Sequence, residues 1–395
     1  MISVSEAKKI VLENTDLLGA HIIPLYDATG LVIAEDVFAT IDVPSFNQSA
    51  MDGYGLRFED LNENKSLSIV GEIPAGVFPP HQLLPNSAIR IFTGSQIPEG
   101  CDTVVIQEKV TVNSNQLYIN DEHLKKGLNI RLKGSQTAKG GVALKAGTII
   151  RPGASGFLAG LGFDKVKVFN VPKVCIINTG KELIKPGQSL VPGKVYESNS
   201  YSLNAALSEL NIEPQNIICI DDDEQGITDS IKSNLSKCDI LLISGGVSVG
   251  DYDFVAKALN NSGARCLFHK VKQKPGKPLY FGKVNSTLIF GLPGNPAATL
   301  TCYYEYVVPS IMKMMGFDVD STIKIFLPLE TPFVKKAGLT FFIKGKIEGN
   351  GVTPLNAQES YQMSSFAFAD CIIQLDEDRM DFRQGDLVEV HLLKK

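Results

Sequence analysis

The chain has 395 residues, too many for one small domain and enough, at about 100–200 residues each, for several cores. Lys and Arg number 38 against 43 Asp and Glu, and the resulting net charge of −5 excludes a general affinity for nucleic acid. With 44% hydrophobic and 21% charged residues the chain is neither fibrous nor largely disordered, and seven cysteines without a C-x-x-C pair exclude a disulfide framework and a zinc ribbon.

The first ten residues carry Glu6, Lys8 and Lys9 and do not read as a secretory signal, while no apolar run approaches the roughly 20 residues that span a bilayer. The expectation is a soluble, cytoplasmic protein with no nucleic-acid or membrane partner. Ser3 followed by Glu6 is a capping-box pattern ahead of Ala7, Ile10, Val11 and Leu17, which predicts an amphipathic opening helix. Over 41–139 short β-like runs, such as 88–92 and 103–107, alternate with glycine and proline, predicting a turn-rich β module. Helical patterning returns near 151–162, so 1–40 and 140–170 read as one helical region interrupted by an inserted module.

From 171 to 317 short apolar strands alternate with helices whose faces carry Leu203, Leu207 and Leu210, then Ile227, Ile231 and Leu235, the rhythm of an α/β layer. The tail, 318–395, holds strand-like runs at 323–327, 340–343, 371–375 and 387–392 and predicts a small C-terminal β domain.

Three strand ends carry turns suited to anions: Asn178-Thr179-Gly180, the run from Ser244 through Gly245, Gly246, Val247, Ser248 and Val249 to Gly250, and Gly291 through Pro293, Gly294 and Asn295 to Pro296. Glycines let backbone N–H groups converge, and a following helix start adds partial positive charge. Any one such turn serves equally well as a simple reversal; three together point to an anion. None is a Walker A or G-x-G-x-x-G pattern. Asn295 reads as an N-cap with Pro296 at the first helical position. Lys270, Lys272, Lys274 and Lys277 surround Pro275-Gly276, a turn that would aim Lys274 and Lys277 at a cleft, although a charged strand edge would look the same. Asp52, Glu108, Glu182, the run Asp221-Asp222-Asp223, Asp251 and Asp253 are loop carboxylates. Beside an anionic substrate they make sense when a hard cation such as Mg2+ bridges them, while Asp223 and Asp251 also suit helix caps. The five histidines show no metal-ligand spacing.

Taken in order, Val43-Pro44 with Ser49 to Tyr54, Arg90 to Gly94, Asn178-Thr179-Gly180 with Glu182, Ser244 to Gly250 with Asp253, Lys274 to Pro278, and Gly291 to Pro296 resemble the molybdopterin molybdenumtransferases, the family of bacterial MoeA and the gephyrin E domain. The resemblance covers essentially the full chain. It implies a multidomain α/β plus β homodimer: a helical linker and dimerisation region (1–40 and 140–170), an inserted β module (41–139), a MogA-like molybdopterin-binding α/β domain (171–317) and a C-terminal β-barrel-like domain (318–395). The implied reaction joins molybdate to adenylylated molybdopterin with Mg2+ and releases AMP, with an upstream molybdopterin adenylyltransferase as a partner. By position, Gly245, Gly246, Ser248 and Gly250 would cradle the pterin phosphate or adenylyl link, with Thr179, Gly180, Pro293, Gly294 and Asn295 also binding substrate. Asp222 and Asp253 would hold the metal with Glu182 nearby, and Lys274, Lys277, Lys344 and Ser360 would bind molybdate. Asp52 and Thr93 from a partner subunit would close the cleft. Ser135-Gln136 stands where the family usually has an acidic pair, Lys344 where an arginine is expected, and Asn47 where aspartate is frequent. A pterin-binding scaffold with impaired catalysis and a tungstate-preferring relative are therefore the alternatives.

Overall fold

The opening helix, Val4–Glu13, starts where its cap predicts, with Ser3 Oγ accepting the Glu6 N–H at 3.2 Å and with Val4, Ala7 and Val11 buried. Leu17 lies beyond the helix and is exposed, so the apolar stripe ends a turn earlier than its pattern suggests. The computed structural model describes residues 1–62, 66–79, 81–246, 254–318 and 324–393. Its chain forms two units, Ile22–Lys167 and the combination of Met1–His21 with Val168–Lys395.

In the first unit a six-stranded sheet runs in the order Thr103–Ile106, Gly53–Leu56, Ser87–Ile91, Leu67–Ile73, Gln116–Ile119, Val110–Asn113. Leu56, Leu67, Ala88, Val105 and Leu117 fill its core. The flanking segments pair as Val37–Phe38 with Val142–Leu144, beside the nine-residue helix Pro152–Gly160. The opening helix belongs to the other unit, where it packs against the helix Val308–Met314 and Lys313 Nζ donates to Leu12 O at 2.6 Å.

The second unit centres on a six-stranded sheet in the order Asn216–Ile220, Val174–Thr179, Ile240–Ser244, Thr287–Leu292, Tyr280–Val284, Arg265–His269. The first four strands are mutually parallel. Val174–Thr179, Ile240–Ser244 and Thr287–Leu292 are buried at every position, as strands covered by helices on both faces must be. Ile227 and Ile231 of the helix Glu224–Leu235 and Val255, Ala258 and Leu259 of Phe254–Asn261 join that core. Asp223 is the cap of Glu224–Leu235, accepting the Gly226 N–H at 2.7 Å.

A second sheet contains Thr340–Glu348, Cys371–Leu375, Leu387–Leu392 and Lys324–Pro328, and its other edge is the two-residue strand Gln273–Lys274. That strand comes from the α/β segment and pairs Gln273 with Thr340 and Lys274 with Phe341. Among the described residues no helix is long and apolar enough to cross a membrane.

A buried charge network fastens these parts. Glu305, in the π-helical turn Tyr303–Val307, receives Lys8 Nζ at 2.6 Å and faces His391 Nδ1 at 2.7 Å, while His391 Nε2 lies 2.8 Å from Glu389. Lys8 also donates to Gln374 Oε1 at 3.2 Å, and Lys324 stands 3.6 Å from Glu389. Burial opposes the Glu305 charge, but His391 and Lys8 outweigh it and hold its pKa near 2. Burial likewise works to lower His391, and the carboxylates of Glu305 and Glu389 prevail and raise it above the ordinary 6.5. An imidazole between two carboxylates uses both nitrogens as donors, which requires the protonated ring.

The pH dependence follows from these signs. The Glu305 contribution is complete above the ordinary 4.5 and lost as pH falls toward about 2. The His391 contribution is complete below 6.5 and lost as pH rises through the raised value. Chemical denaturation should therefore find stability greatest at weakly acidic pH, with a decline on the alkaline side. His391→Gln should remove that alkaline decline and cost about 3 kcal/mol at pH 6, because Glu305 loses a buried partner.

Candidate active site

Parallel strands present their carboxyl ends on one edge, and ligands of such sheets bind there. At that edge a cavity of about 790 Å³ is lined by the turns after three strands, at Asn178 and Thr179, at Ser244 to Gly246, and at Pro293 to Asn295. Asp222, two residues beyond the fourth parallel strand, joins them, accepting the Thr179 hydroxyl. Glu182, Lys274, Lys277 and Ser360 also line the cavity.

Gly245 shows why the rim must be glycine. Its φ is +91°, and a Cβ there would lie 2.1 Å from the Thr179 carbonyl oxygen, so only the bare backbone fits between neighbouring strand ends. Gly180 N donates to Ile220 O at 3.3 Å, tying its turn to the edge strand. Ser248, Gly250 and Asp253, and with them part of the expected metal set, lie outside the described residues.

The two cavity lysines are aimed by their neighbours. Gln273, 1% exposed, donates through Nε2 to Pro275 O at 3.1 Å and Gly276 O at 3.2 Å, while its Oε1 accepts the Tyr306 hydroxyl. The Lys274–Pro275 bond is cis. Lys272 instead pairs with Glu377 at 2.9 Å, and neither it nor Lys270 lines the cavity. Asn295 precedes the helix Pro296–Cys302, but its side chain makes no cap and donates to Ser360 Oγ at 2.8 Å. Asn295 thus holds the expected N-cap position, with Pro296 opening the helix, while its side chain braces the α/β domain against the C-terminal β domain.

Lys344 departs from expectation. It does not line the cavity; its side chain is buried, with the ammonium 5.7 Å from the Phe366 ring centroid and without a hydrogen-bond partner among the described residues. Burial pushes its pKa down to about 8.

Asp52 and Thr93 lie in the other unit and meet each other: the Thr93 N–H and hydroxyl both donate to Asp52 Oδ1 at 2.7 Å. These bonds hold the exposed Asp52 carboxyl below its ordinary range. Arg90 stacks beside them, 5.0 Å from the Tyr54 ring centroid and 5.2 Å from that of Phe92. Ser135 and Gln136 are in this unit too, where Gln136 N donates to Val43 O at 2.9 Å, and Asn47 accepts the Lys133 N–H at 2.8 Å.

Two site residues escaped the sequence reading. Glu197, 5% exposed, accepts Asn178 Nδ2 at 2.5 Å, the Ser200 N–H at 2.7 Å and the Ser200 hydroxyl at 2.5 Å, so its buried charge is hydrogen-bonded from the cavity wall to the start of the helix Asn199–Ser208. Asn199 donates to Ser244 Oγ at 2.7 Å and Gly294 O at 2.9 Å, stapling two of the three turns. The Glu197-Ser198-Asn199 run just ahead of a helix was the available signal.

A parallel sheet with anion-suited turns, joined to a β domain that completes its cavity, defines a multidomain α/β protein with a small-ligand site at its strand ends. The family models match accordingly: "MoeA N-terminal region (domain I and II)" over residues 2–162, "Probable molybdopterin binding domain" over 175–313, and "MoeA C-terminal region (domain IV)" over 327–393. The molybdopterin molybdenumtransferase of Haemophilus influenzae is 34% identical over 404 residues, covering 100% of both chains, and that of Nostoc sp. is 39% identical over 328 residues, covering 80% of this chain and 75% of its own. The crystal structure of a molybdopterin biosynthesis moeA protein from Pyrococcus horikoshii has a TM-score of 0.85 at 30% identity, covering 99% of this chain and 100% of that one. The chain belongs to the molybdopterin molybdenumtransferase family.

Gly245→Ala tests the rim. The clash and the left-handed backbone should together cost about 1–3 kcal/mol in chemical denaturation, without loss of secondary structure by circular dichroism.

Proposed function

We propose that this protein inserts molybdate into adenylylated molybdopterin with release of AMP, in molybdenum cofactor biosynthesis. The observation that carries the reading is one cavity in which three anion-suited turns, the lysines Lys274 and Lys277, and the carboxylates Glu182, Glu197 and Asp222 converge. The glycine turns would hold the phosphates through backbone N–H groups, and Lys274 and Lys277 would hold the tetrahedral dianion. Ser360 supports this: its oxygen accepts from Asn295, leaving the hydroxyl proton for an anion.

The donor chemistry fits Mg2+, since Asp222 and Glu182 supply hard carboxylate oxygens beside the phosphate turns. Asp222 would hold the ion together with Asp253, the pair the family resemblance implies, with Glu182 nearby. When bound, it would neutralise phosphate oxygens and polarise the linkage to be broken. Thr179 orients Asp222 by donating to it, and the lysines offset the repulsion between the two anionic reactants.

The oligomer belongs to the same reading. Asp52 and Thr93 form a prearranged polar pair, and the family resemblance implies a homodimer in which the partner subunit contributes them. An upstream adenylyltransferase would supply the adenylylated substrate, and the cytoplasm is the compartment where both would meet it.

The test is AMP release from adenylylated molybdopterin with Mg2+ and molybdate. Wild type should turn over, and Asp222→Asn should lower kcat about a hundredfold with little change in the KM for molybdate. Lys277→Ala should chiefly raise that KM. Tight pterin binding with no turnover in wild type would favour the impaired scaffold instead.

A further inference from the structure

Beside the cavity, Glu359 Oε1 stands 3.6 Å from Lys274 Nζ, with the two side chains 58% and 46% exposed. Its neighbours on both sides are pinned. Gln358 brackets the backbone of Lys344, accepting its N–H at 2.9 Å and donating to its carbonyl at 2.8 Å. Ser360 accepts the Ala298 N–H at 3.2 Å through its carbonyl and Asn295 Nδ2 at 2.8 Å through its hydroxyl. The Glu359 backbone N–H is held by Gln362 Oε1 at 3.0 Å, which leaves its side chain as the element free to swing.

The carboxylate therefore meets a lysine that the proposed reading gives to molybdate, at a separation looser than a well-formed hydrogen bond. It is also the acidic group that acts on Lys344, whose buried ammonium has no hydrogen-bond partner among the described residues. Lys274 meanwhile lies 5.6 Å from the Phe341 ring centroid, a face that holds the ammonium whether or not the carboxylate stays.

We propose that Glu359 is an internal stand-in for the oxyanion, a carboxylate that occupies Lys274 in the free protein and must be displaced when a tetrahedral dianion binds. The inference rests on the reading of Lys274 as an oxyanion ligand. An exposed pair of this kind is weak, so displacement is easy and its effect on affinity modest. Glu359 sets the affinity for the oxyanion without taking part in the chemical step.

Sodium molybdate titrated into the full chain by calorimetry at low ionic strength decides the matter, with Glu377→Gln as a control that removes a nearby carboxylate paired with Lys272 instead. Glu359→Gln should tighten molybdate binding about two- to fivefold, Glu377→Gln should not, and the gain should shrink in 0.5 M salt. An unchanged or weaker affinity in Glu359→Gln, or an equal gain in Glu377→Gln, overturns the stand-in. Lys274→Ala separates this from the wider reading: if it weakens molybdate binding while Glu359→Gln has no effect, only the stand-in is wrong. If wild type binds no molybdate, or Lys274→Ala binds it as well as wild type, the oxyanion reading falls and the stand-in with it.

Discussion

Four strands running in the same direction, three of them buried at every position, are the constraint on which the rest depends. Once Val174–Thr179, Ile240–Ser244 and Thr287–Leu292 are locked in parallel register, their ends cannot avoid sharing an edge, and whatever chemistry the following turns carry is gathered there. The register pairs Asn178 with Ser244 and Ser244 with Leu292, so three turns far apart in the chain begin at neighbouring positions. Glycine at 245 keeps that crowding tolerable.

How much of this was legible depended on the range of the interaction involved. Buried parallel strands announce themselves as unbroken apolar runs, and the Ser3 cap and the Asp223 cap are local patterns that the backbone obeys. The edge strand Gln273–Lys274 was hidden, because two residues carry no periodicity and their partner, Thr340–Glu348, lies in another part of the chain. Glu305 and His391 were opaque for the same reason: a glutamate within an apolar helical stretch gives no hint that Lys8 and His391 meet it across 297 and 86 residues. Asn295 takes the N-cap position its sequence suggests, but that its side chain braces a neighbouring domain, and that Lys344 buries its charge away from the cavity, depends on contacts distant in the chain. The supports contributed by Glu197, Asn199 and Gln273 came only from the fold, because their partners lie on other elements.

Charge is arranged here in two ways. Inside, Glu305, His391 and Lys8 satisfy one another away from water, so their attraction is strong and removing any partner leaves an expensive orphan. Around the cavity the charged groups are more exposed, as at Lys274 and Glu359, so their pairing is weak and readily exchanged. Tyr306 and Glu305, both in the π-helical turn, link the two regimes: one braces the lysine turn through Gln273, the other anchors the C-terminal β domain through His391.

The short excursion at Gln273–Lys274 has a consequence for dissecting the molecule. Cutting the chain near residue 318 would not release a self-contained α/β module, since it would strip that strand of its ladder partner and leave open hydrogen-bonding groups beside two lysines. Any excised fragment would carry a sticky margin prone to self-association. A cut there would therefore break a strand pairing inside one unit, and the modular look of that unit in a linear map is misleading.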